Sequence, residues 1–126
     1  MFNTPILFLI FNRPEVTFAV FEQIQKIQPK YLFIAADGPR NYKENELCKA
    51  TRDVVQKIDW DCELKTLFRN ENLGCAKNVS SAIKWFFDHV EKGIILEDDC
   101  YPDLSFFSFC EELLNYYDNN DRIMAI

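Results

Sequence analysis

The chain has 126 residues, 48% hydrophobic and 15% aromatic, with 12 phenylalanines; that is enough apolar mass for one core and too much for a disordered segment. Its formal net charge of −6 removes the sequence-independent attraction to phosphate backbones that nucleic-acid binding relies on, so no nucleic-acid partner is expected. An anionic ligand would need locally placed cations or a metal.

The opening "MFNTPILFLIFNRPE" holds a short apolar run without a basic leader or a small-residue cleavage site. No window approaches the roughly 20 apolar residues of a membrane span. That run, Pro5 to Phe11, reads as a first strand and ends in "NRPE". Pro14 suits the first turn of a helix on which Val16, Val20, Ile24 and Ile27 share a face. Tyr31 to Ala36 reads as a second strand ending in "DGPR", and the loop Pro39 to Glu46 is expected to be mobile. Leu47, Thr51, Val54 and Ile58 mark a second helical face. Glu63 to Phe68 is a third strand followed by "RNENLG", and Val79, Ile83, Phe86 and Val90 mark a third helix. Gly93 to Leu96 is a fourth strand running into "EDDC". Asp103 suits the cap of a helix from Leu104 to Tyr117, and Arg122 to Ile126 reads as a fifth strand.

Strands alternating with helical periodicity predict an α/β fold, a three-layer sandwich around a mostly parallel, Rossmann-like sheet formed by residues 1–126 as one domain. Five cysteines, an odd number with no CxxC pair, suggest neither a disulfide framework nor a zinc knuckle. Reduced thiols and a cytoplasmic location follow.

Open parallel sheets bind ligands at the carboxyl ends of their strands, so the four polar clusters bear on one another. Along an extended strand Glu97 and Asp99 would point to one side and Asp98 to the other. Two carboxylates that close repel, and a hard divalent cation, Mn²⁺ or Mg²⁺, relieves the repulsion through oxygen ligands; a solvated acidic turn is the alternative. Asn12 and Arg13 follow the first strand and Arg69 the third, where guanidinium groups can meet phosphate or ribose oxygens. Asp37, before Gly38 and Pro39, is either a turn residue bonding its own backbone or a carboxylate that reads a base. Asn72 and Lys77 surround a helix start suited to anions. The spacing is neither a P-loop nor a dinucleotide fingerprint. His89, the only histidine, lies at the end of the third helix, far along the chain from the polar strand ends; with no evident partner for a catalytic set, it suits a surface or capping role.

Taken together, "FNRP", "AADG", "RNENLGCAKN" and "IILEDDC" resemble the nucleotide-diphospho-sugar half of a GT-A glycosyltransferase of the N-acetylglucosaminyltransferase I type, whose metal motif also reads Glu-Asp-Asp at a strand end. The resemblance covers nearly all of the chain. It implies that Asp99, with Glu97 beside it, holds Mn²⁺ or Mg²⁺ against the diphosphate of a UDP-sugar. Glu97 and Asp98 would then hold ribose and sugar, Arg13 a phosphate, and Asp37 the uracil. Asn12, Arg69, Asn72 and Lys77 complete the implied nucleotide-sugar site. It also implies the order three-two-one-four for the first four strands, and transfer with inversion to a saccharide or other acceptor.

The family continues into an acceptor-binding half that supplies the catalytic base, whereas this sequence stops at "RIMAI". The expectation is therefore a chain that holds a nucleotide sugar without transferring it, and that self-associates through an open sheet edge. A receiver-like Mg²⁺-binding domain is the rival reading, but it needs an acidic pair where Asn12 and Arg13 stand. A non-catalytic nucleotide- or partner-binding module is the third.

Overall fold

The computed structural model describes residues 2–118, in the order β1 (Ile6–Ile10), α1 (Pro14–Ile27), β2 (Tyr31–Ala36), a 3-10 turn (Tyr42–Glu44), α2 (Asn45–Val54), β3 (Glu63–Phe68), α3 (Cys75–Phe87), β4 (Ile94–Glu97) and α4 (Leu104–Tyr116). The expected fifth strand, Arg122 to Ile126, lies outside the described residues.

The four strands form an all-parallel sheet in the order β3-β2-β1-β4. β1 is buried along its whole length and β2 along all but its first residue, so both read as unbroken apolar runs. The edge strands differ: β3 is largely exposed and β4 alternates buried and exposed positions. Ile6, Phe8, Leu32 and Ile34 pack on one face with Val20, Phe21 and Ile24 of α1, Val55 at the end of α2, and Phe107 of α4. Leu7, Leu9 and Phe33 pack on the other with Ala82 and Phe86 of α3. The fold is thus a Rossmann-like three-layer α/β sandwich. No helix among the described residues is long and apolar enough to cross a membrane.

Three expectations change in detail. Val16 and Leu47 are exposed, and Thr17, Phe21, Cys48 and Val55 take core positions instead. Phe21 brings more apolar area to the sheet than Val16, so α1 turns to bury it. The fourth strand runs one residue further than expected, which places Glu97 in the ladder opposite Leu9. The segment Pro39 to Glu46 folds into a 3-10 turn and the start of α2, because Glu44 turns inward and collects hydrogen bonds across it. At both helix starts singled out in the sequence the local chemistry holds: Pro14 opens α1, and Asp103 caps α4 by accepting from the Ser105 N–H at 3.0 Å.

Candidate functional site

Because β4 lies beside β1, the chain leaving Ile10 and the chain leaving Glu97 emerge side by side at the carboxyl edge. Arg13 donates from its guanidinium to Asp98 Oδ1 at 2.8 Å and stands 4.0 Å from Asp99 Oδ2. Pro14 fixes the chain direction at Arg13, which keeps an extended-side backbone (φ −121°, ψ 83°) as it enters α1. Of the three carboxylates, Asp98 is the one turned inward, 6% exposed. Its burial pushes the carboxyl above its ordinary pKa; Arg13 opposes that shift, and Asp99 and Glu97 add to it.

Glu97 and Asp99 stay exposed, with donor atoms within 4.8 Å of each other and of the Cys100 sulfur. The turn is closed by the Cys100 N–H donating to the Glu97 carbonyl at 3.2 Å. Burial, then the hydrogen bond and charge of Asp99, raise the Cys100 thiol pKa. The donor set is therefore two ionisable oxygen ligands and a neutral thiol, which fits a hard divalent cation that completes its shell with water or phosphate oxygens.

The opposite side of the edge is interlocked. Asp37, 4% exposed, accepts at Oδ1 from the N–H groups of Gly38 (2.9 Å) and Leu73 (2.8 Å) and at Oδ2 from Asn72 Nδ2 (3.1 Å). Asn72 also donates to the Gly38 carbonyl at 2.9 Å. The two loops approach so closely that a Cβ on Gly38 would lie 2.5 Å from the Glu71 backbone, so only glycine fits. The carboxylate implied to read a base is held by three protein donors.

Next to it, Glu44 accepts from the Arg40 backbone N–H (2.8 Å), Arg40 Nε (3.0 Å), Arg40 Nη2 (2.6 Å) and Asn12 Nδ2 (2.8 Å). The Arg40 side-chain bond first, then the backbone bond, lower the Glu44 pKa to about 2. The Arg40 guanidinium lies over the Phe11 ring, 5.6 Å from its centre.

The third contribution comes from α3. Gly74 enters it with φ +86°, a left-handed conformation that suits glycine, and no side chain caps the first turn. Asn78, one turn on, is 5% exposed, and its Oδ1 has no hydrogen-bond partner.

These elements enclose an open cleft of about 370 Å³. Of the residues singled out in the sequence, Arg13, Asp37, Asn72, Glu97, Asp98 and Asp99 line it. Asn12, Arg69 and Lys77 are not among its lining residues. Asn12 is turned to Glu44, and Arg69 donates to Ser81 Oγ at 2.8 Å and borders a separate hollow beside Arg52. Lys77 is exposed on the first turn of α3. No family model, curated protein or solved structure matches the chain.

Sequence reasoning missed Arg40 and Phe11 as wall residues, whereas Asn78, which the sequence places with Asn72 and Lys77 around the start of α3, does line the cleft. The spacing of Arg40 and Glu44, four apart, was the available signal for the first. His89 sits at the far end of α3, where Nδ1 lies 2.8 Å from the Trp85 carbonyl and the ring packs on Phe33.

Proposed function

We propose that this chain binds a nucleotide-diphospho-sugar, with uridine as the nucleoside, through a divalent cation, as the sugar-donor-binding portion of a GT-A-like glycosyltransferase. The observation that carries the reading is the meeting of Arg13 with the Glu97–Asp99 turn at the mouth of one cleft. The strand order that brings them together is the one the resemblance implies.

Charge supports the same reading. The cleft walls carry four carboxylates, Asp37, Glu97, Asp98 and Asp99, against two guanidinium groups, Arg13 and Arg40. Arg40 is already matched by Glu44. A diphosphate entering such a cleft is repelled unless a cation enters with it. Glu97 and Asp99 would hold Mn²⁺ or Mg²⁺, which when bound supplies the positive charge that a diphosphate needs beside a carboxylate turn.

The chain's own residues do the rest. Arg13, half-exposed at 51%, can exchange part of its contact with Asp98 for a phosphate oxygen. The first-turn amides of α3, which carry no side-chain cap, offer N–H donors to an anion in the cleft. Asn78 adds an amide to the same wall.

Calorimetric titration with Mn²⁺, then with UDP-sugars in the presence and absence of Mn²⁺, tests the proposal. Metal-dependent nucleotide binding is the expected result, and Asp99→Asn is expected to remove most of it while leaving the thermal midpoint unchanged or raised, because one repelling carboxylate is gone. Metal binding without nucleotide binding would favour the receiver-like or other non-catalytic Mg²⁺-binding reading. Nucleotide affinity that ignores both the metal and Asp99 would overturn the assignment.

A further inference from the structure

Arg40 is a residue of the cleft that the sequence pattern left unassigned and that the structure ties to Glu44 by three hydrogen bonds. Its fork grips both oxygens of Glu44, through Nε to Oε1 at 3.0 Å and Nη2 to Oε2 at 2.6 Å, while its own backbone N–H binds Oε1 at 2.8 Å. Glu44 is itself tied to Asn12 and turned inward, so the guanidinium plane is fixed from behind. The plane lies over Phe11, which also lines the cleft. Yet 63% of the Arg40 side chain remains exposed.

A flat, immobilised guanidinium backed by an aromatic ring, with much of its surface open to a ligand cleft, suits one chemical class of partner. Planar aromatic rings stack on guanidinium planes, and nucleobases do so without regard to their hydrogen-bonding edges. A phosphate would call for uncompensated positive charge, and Glu44 already balances the Arg40 charge and occupies its Nε–H and one Nη2–H, leaving three N–H groups on a neutralised pair. Asp37, with its carboxylate occupied by Gly38, Asn72 and Leu73, has less left to offer a base than the sequence implied. We propose that Arg40, fixed by Glu44 and backed by Phe11, is the stacking platform for the nucleobase of the bound nucleotide. The inference rests on the nucleotide-sugar reading above and names the surface that holds the base.

The test compares UDP with inorganic pyrophosphate, each with Mn²⁺, on the whole chain, its Arg40→Lys variant and the double variant Arg40→Met with Glu44→Gln. Arg40→Lys keeps the cation beside Glu44 but removes the plane. The double variant removes both partners, so no carboxylate is left facing inward unpaired. Both variants are expected to lose about tenfold or more in UDP affinity, in line with the stacking of one base. Pyrophosphate affinity stays unchanged, and the UDP loss stays the same as salt is raised, because stacking is screened far less than a charge contact. Equal losses for UDP and pyrophosphate, or UDP affinity unchanged in both variants, would overturn the platform. Failure of the wild-type chain to bind UDP at all would instead overturn the nucleotide reading beneath it.

Discussion

The two walls of the cleft are built from the same residue types and behave differently. On the β2/β3 side Asp37 and Glu44 each accept from three or more protein donors and tie neighbouring loops together. On the β1/β4 side Asp98 accepts from Arg13, while Glu97 and Asp99 stand in solvent. The pKa directions follow: hydrogen bonds lower Glu44, whereas burial raises Asp98 despite its arginine. A carboxylate whose lone pairs are filled by the protein is part of the scaffold. One left with open valence is available to a ligand.

The largest way to break the contrast is Asp37→Ala. It strands the Gly38 and Leu73 N–H groups and Asn72 in a buried loop junction, and about 4 kcal/mol of unfolding free energy should be lost in urea titration. A smaller loss, about 2 kcal/mol, is expected of Gly38→Ala, because the new Cβ would meet the Glu71 backbone, which has no rotamer to yield.

Glu44→Gln comes next, and pH sharpens it. Because folding depresses the Glu44 pKa to about 2, the ionised group adds its full stabilisation above its ordinary value near 4.5 and loses it as pH falls through about 2. Wild type and Glu44→Gln should therefore differ in urea midpoint at pH 7 and converge near pH 2; a constant gap would remove the ion pair as the cause. The smallest effect belongs to Asp98→Asn, expected within about 0.5 kcal/mol of wild type. Removing a charge that burial disfavours offsets the lost attraction of a half-exposed Arg13. A loss as large as that of Asp37→Ala would show the β1/β4 wall to be as interlocked as the other.

Much of this was legible in the residues. Period-two and unbroken apolar runs located all four described strands, and Pro14 and Asp103 marked helix starts correctly, because these signals depend on neighbours within one turn or one strand. The acidic turn could be placed at a strand end for the same reason. The contents of the cleft were less legible. Arg69 looked equivalent to Arg13, but the edge strand β3 leaves it facing Ser81 of α3. The loop from Pro39 to Glu46, composed like a flexible connector, is fastened by one inward glutamate.

The sequence by itself determined the α/β alternation, the polar ends of the strands and the concentration of negative charge after β4, since each is a local property of a short run of residues. Tertiary structure decided which carboxylate is buried, which arginines face the cleft and which loops are fastened to each other. Those outcomes rest on contacts such as Arg13 with Asp98, 85 positions apart, and Leu73 with Asp37, 36 apart. Sheet register alone brings such pairs within reach, and burial then sorts chemically identical side chains into scaffold and site.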